Sequence, residues 1–89
     1  MERVLIVDDE KGLRDVLGHL LKQEGYEVAL VPNGEEAVKA MDREIFDLVI
    51  TDIKLPKLDG IGVLKAAKSI QPDAAVVMVT AYAAVASAV

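Results

Sequence analysis

The 89 residues fit a single domain, and a net charge of −5 with only three aromatics (Tyr26, Phe46, Tyr82) argues against nucleic-acid contact, which needs a basic face or a stacking platform. Mean hydropathy is high at +0.34, but the apolar residues come in short segments broken by charge, none near the roughly 18 needed to span a bilayer, so a soluble chain without membrane contact is expected. There is no cysteine for a disulfide or thiolate site, and Met1-Glu2-Arg3 does not open a signal peptide; both point to the cytoplasm.

Val4-Leu5-Ile6-Val7 is a continuous apolar run ending on Asp8-Asp9-Glu10, which reads as a buried strand followed by acids. From Lys11 the period changes: Leu13, Val16, Leu17, Leu20 and Leu21 form one stripe of a helix that Gly25 is placed to end. Tyr26 to Val31 is rich in strand formers and carries an interior charge, which suits an edge strand closed by Pro32. Asn33 with Glu36 three residues on resembles a capping box opening a short helix over Ala37, Val38, Ala40 and Met41.

Phe46-Asp47-Leu48-Val49-Ile50-Thr51-Asp52 has the form of a strand buried on both faces and stops on a single carboxylate. Asp59-Gly60 opens a third helix with Ile61, Leu64 and Ala67 on one side, ended before Gln71-Pro72. Ala74 to Thr80 is a further apolar run ending on a hydroxyl, followed by an alanine-rich, helix-prone tail. Strand and helix alternate throughout, which predicts an α/β fold with a doubly wound parallel sheet. The expected strand order is 2-1-3-4, with the change of direction between the first and third strands. That order sets Asp8, Asp9 and Asp52 beside one crevice at the carboxyl ends of the strands, where open α/β sheets bind ligands.

Carboxylates brought that close repel one another unless a cation compensates. An all-oxygen ligand set without His or Cys suits Mg2+ or Mn2+. Such a metal can neutralise a phosphoryl group in transfer, a carboxylate can be the covalent acceptor, and Thr80 can donate to a phosphoryl oxygen. The plainer readings are a solvated acidic helix start at Asp8-Asp9-Glu10, a helix cap at Thr80, and ordinary loop charges at Lys54 and Lys57. His19 lies outside the apolar stripe and reads as a solvated helix residue. Asp8-Asp9-Glu10 is not the Asp-x-Asp of a dehalogenase-like phosphatase, Asp52-Ile53-Lys54 does not supply the Asp-x-Asp of a topoisomerase-primase-like site, and no Gly-rich nucleotide loop is present.

Val4-Leu5-Ile6-Val7-Asp8-Asp9-Glu10, Asp52-Ile53-Lys54-Leu55-Pro56-Lys57-Leu58-Asp59-Gly60 and Val79-Thr80-Ala81-Tyr82 together resemble the receiver domain of bacterial two-component response regulators. The resemblance covers the whole chain in order and spacing, and the passage Thr80 to Val85 is similar to receivers of enhancer-binding transcription activators. It implies a flavodoxin-like sheet and a phosphoacceptor switch rather than an enzyme, although one that assists its own phosphorylation and dephosphorylation. Asp52 is then similar to the aspartate phosphorylated by a sensor histidine kinase. Asp9 is similar to the acid that binds Mg2+ directly, Asp8 to the neighbour acting through a metal-bound water, and the backbone carbonyl of Lys54 to the third protein ligand.

Thr80 matches the switch hydroxyl, Pro56 and Gly60 the loop-shaping residues, and Lys54 and Tyr82 are expected to tune loss of the phosphoryl group by shielding it from water. The implied partners are a histidine kinase and an output domain or downstream effector, with the output in transcription regulation. In the family a lysine and a switch aromatic lie on a fifth strand that would fall beyond Val89. The expectation is therefore a receiver domain over residues 1–89 lacking its fifth strand and last helix. The alternative is a non-phosphorylated module for protein interaction or self-association, for instance as a dimer, through the exposed fourth strand and alanine-rich helix.

Overall fold

The computed structural model of the protein describes residues 2–55 and 57–79. The elements run β1 (Arg3–Val7), α1 (Lys11–Gln23), β2 (Glu27–Val31), α2 (Gly34–Arg43), β3 (Leu48–Asp52), α3 (Gly60–Ile70) and β4 (Ala75–Val79). The four strands form one sheet in the order β2-β1-β3-β4, with every pair parallel. This is the order expected from the alternation of apolar runs and helical stripes. Thr80 to Val89, with the tail helix expected there, lie outside the described residues.

Register decides which side chains share a face. Ile6 aligns with Leu30 on one side and Ile50 on the other, and Ile50 with Val77, so these four project to the same side of the sheet. Leu5 and Val49 align on the opposite side. There they join Val7, Ala37, Met41, Phe46, Leu55, Val63 and Ala67 in the core beneath α2 and α3.

Helix α1 covers the Ile6 side. Its buried residue is Gly18, where an added Cβ would stand 2.9 Å from a Leu30 methyl, and the helix lies over β1 and β2. The expected stripe is only partly covered. Leu17 and Leu21 are half-buried, whereas Leu13, Val16 and Leu20 are exposed, as are Val77 and Val79 on β4. Val4 and Ile6 are fully buried beneath α1 while Leu48 and Ile50 are half-buried, so β3 is closed on the α2/α3 side and partly open on the other rather than buried on both faces. Among the described residues α1 is the only helix on that side, and it does not reach β4.

Asn33 caps α2 as expected, its Oδ1 accepting from the Glu36 amide at 2.8 Å; the Glu36 carboxylate turns to Lys39 instead, at 3.7 Å. Helix α3 buries Gly60, Val63 and Ala67, leaving Ile61 exposed. The Asp59 cap, whose Oδ1 accepts from the Gly62 amide at 2.9 Å, starts the helix with Gly60 against the sheet, so the face falls one position before the stripe read from Ile61.

Candidate functional site

The pleat and the register together build the site. Side chains alternate along a strand, so Asp8, two residues beyond Ile6, and Asp52, two beyond Ile50, project to the same side from neighbouring strands. The last aligned pair is Val7 with Thr51, and the two acids stand one step past it, at a strand spacing of roughly 4.8 Å. This is also where the chain leaves β1 toward α1 on one face of the sheet and leaves β3 toward α3 on the other, the switch point of the sheet. Asp9 follows in the turn to α1. Carboxylate oxygens of Asp8, Asp9 and Asp52 all lie within 4.8 Å of one another.

The three acids are held differently. Asp8 is 5% exposed; its amide donates to the Val31 carbonyl at 3.2 Å and its Oδ1 accepts from the Glu10 amide at 2.9 Å. Burial pushes its carboxyl above the ordinary value of 3.8, against the pull of the Glu10 amide, and the nearby charges of Asp52 and Asp9 push the same way while Arg14 opposes them. Asp9 is exposed and Asp52 half-buried. The Asp52 Oδ1 accepts from the Lys54 amide at 3.2 Å, which folds the loop after β3 back over the acid.

Gly60 permits that fold. Its amide donates to the Ile53 carbonyl at 2.9 Å, and a Cβ there would meet the Asp52 carbonyl oxygen at 2.4 Å and the Ile53 Cα at 2.7 Å. No larger residue fits without moving the strand end that carries Asp52. Lys57 has φ 63° in the same loop, and its exposed ammonium stands 4.0 Å from Glu35, away from the acids. Pro56, Thr80 and Tyr82 lie outside the described residues. His19 is exposed on α1.

The donor set fits a hard divalent cation: three carboxylates from two strand ends, oxygen only, with like charge already acting on the most buried of them. Such an ion would relieve the repulsion that the residues themselves create. Two contributors were not legible as such in the sequence. Arg14 donates from Nη1 to the Asp8 carbonyl at 2.7 Å; a basic residue on the first turns of the helix after the acid pair is the signal that could have marked it. Gln71 ties the far end of the sheet, accepting from the Phe46 amide at 2.8 Å and donating to the carbonyls of Met41, at 2.7 Å, and Glu44.

The family model of the response regulator receiver domain matches residues 4–89. Sporulation initiation phosphotransferase F of Bacillus subtilis (strain 168) is 41% identical over 81 residues, covering 91% of this chain and 65% of that protein. Transcriptional regulatory protein ZraR of Escherichia coli (strain K12) is 38% identical over 86 residues, covering 97% of this chain and 20% of that protein. The chain thus spans less than two thirds of either relative.

Among solved structures, the response regulator TrrA from Thermotoga maritima in complex with Mg2+-BeF superposes with a TM-score of 0.87 at 40% identity, over 98% of this chain and 76% of that one. A complex of the histidine kinase ThkA with TrrA is matched at a TM-score of 0.84 and 41% identity, over 92% of this chain and 71% of that one. The strand order, the acids at the switch point and these likenesses agree: the chain belongs to the response regulator receiver domain family.

Proposed function

We propose that this chain is a phosphoacceptor signalling domain in which Asp52 takes a phosphoryl group from a histidine kinase. The observation that carries the reading is the meeting of Asp8, Asp9 and Asp52 carboxylate oxygens within 4.8 Å at the switch point. An Asp52 oxygen bonds to phosphorus as the P–N bond of the donor phosphohistidine breaks, and the imidazole leaves with the electron pair and takes up a proton. Asp9, Asp52 and the Lys54 carbonyl, with Asp8 beside them, would hold Mg2+ (or Mn2+), which would supply positive charge beside the phosphoryl oxygens during transfer. The Mg2+-BeF complex of TrrA and its complex with a histidine kinase support this reading.

Thr80 is the switch hydroxyl in this reading, Lys54 and Tyr82 shield the phosphoryl group from water, and Pro56 and Gly60 shape the loop. The domain acts as a switch that assists its own phosphorylation and dephosphorylation. Its setting is the cytoplasm, and its output is in transcription, as the likeness to ZraR suggests. Incubation with phosphoramidate and Mg2+ followed by intact-mass measurement tests the proposal. The parent protein should gain the mass of one phosphoryl group and Asp52→Asn should gain none; a parent that stays unmodified contradicts it.

The exposed Leu13, Val16 and Leu20 of α1 and Val77 and Val79 of β4 favour a second reading, a self-associating interaction module without phosphorylation. Sedimentation separates the two: concentration-dependent association of a protein that takes no phosphoryl group is the outcome for the module alone.

A further inference from the structure

We propose that Arg14 is a positioning residue of the acid cluster, holding the main chain of Asp8 so that the Asp8 and Asp9 carboxylates stay aimed at Asp52. The inference rests on the reading of that cluster as a divalent-cation site. Asp8 is tethered at three points: its amide to Val31, its carboxylate to the Glu10 amide, and its carbonyl to Arg14 at 2.7 Å. The first two join it to β2 and to its own turn. Of these three tethers, the one from the Arg14 side chain joins Asp8 to the body of α1, Arg14 being the fourth residue of that helix.

A carbonyl at the end of β1 has no further strand partner on this path, and a charge-assisted bond from a half-buried guanidinium is the strong kind. Fixing that carbonyl fixes the peptide plane between Asp8 and Asp9, and hence the direction in which Asp9 leaves the strand.

A cation beside three carboxylates has two opposed effects on a divalent ion. Its charge repels the ion, whereas its hydrogen bond preorganises the ligands. Removing it therefore tightens metal binding if charge dominates, leaves the affinity of the folded protein unchanged if Arg14 serves stability alone, and weakens binding if positioning dominates. The sign of the change identifies the role.

The test measures Mn2+ affinity of the purified protein by the EPR signal of the free ion, with folding followed by circular dichroism. Arg14→Met keeps the aliphatic stem and removes the donors and charge; it should bind Mn2+ roughly tenfold more weakly, the usual cost of losing an outer-shell partner. Arg14→Lys keeps the charge without the forked head and should fall between parent and Arg14→Met. Should Arg14→Met fail to fold, Arg14→Lys decides alone, weaker binding supporting the proposal and equal binding overturning it. Equal or tighter binding by a folded Arg14→Met overturns it as well. A parent that binds Mn2+ no better than Asp9→Asn contradicts the metal reading itself and is told apart by that control.

Discussion

At the scale of single residues, Asp8 carries the clearest electrostatic cost. Its carboxyl is raised above 3.8 chiefly by burial, with the charges of Asp52 and Asp9 adding to it, so the folded metal-free protein binds that proton more tightly than the unfolded chain does. Stability contributed by the protonated form is present below 3.8 and is lost as pH rises through the raised folded value, because over that window the folded state holds more protons. Asp8→Asn keeps an oxygen able to accept from the Glu10 amide and removes the charge. In thermal melts without metal, the variant should melt above the parent at pH 7 by a few degrees, with the gap closing in acid. Added Mg2+ should shrink or reverse the gap, since ligand binding stabilises only the protein that holds it. A variant less stable than the parent at neutral pH without metal would contradict the electrostatic account.

At the scale of elements, the ends of β3 are set by contacts that hydrophobic pattern does not encode. Gln71 offers its amide to three main-chain groups of the segment that enters β3, from Met41, Glu44 and Phe46. Gln71→Ala strands these groups, the Phe46 amide among them partly buried, and should cost about 2 to 3 kcal/mol, read as a lower urea midpoint with an unchanged slope. At the other end, Gly60→Ala places a Cβ against the Asp52 and Ile53 backbone and should cost about 1 to 3 kcal/mol while also weakening Mn2+ binding, because the displaced strand end carries Asp52. A melt and a metal affinity equal to the parent's would refute that placement. By pattern both residues stood in the sequence as punctuation, Gly60 opening a helix and Gln71 closing it, and only the family resemblance marked Gly60 as shaping the loop. Period and turn chemistry locate where elements begin and end; the partners of a long amide side chain depend on what the fold brings alongside.

At the scale of the whole molecule, strand order was legible because each apolar run stops on a turn or an acid and each helix shows its own period, leaving few right-handed arrangements. The meeting of Asp8, Asp9 and Asp52 followed from that order alone. The cover on each face was not legible. A continuous run such as Val49-Ile50 or Val76-Val77 says that both sides of a strand tolerate burial, and the stripe of α1 says that a face is apolar. Neither says which helix lies over which strand, so Leu13, Val16, Leu20, Val77 and Val79 are exposed where pattern alone predicts core.

The same limit hid Arg14, whose role depends on a carbonyl rather than on charge pairing. If the three acids form one phosphoacceptor site, peptide-level mass spectrometry after phosphoramidate treatment reads it out. With Mg2+ the modification should map to Asp52 and should fall away with a chelator or with Asp9→Asn. A phosphoryl group on another residue, or one on Asp52 indifferent to both metal and Asp9, would contradict it.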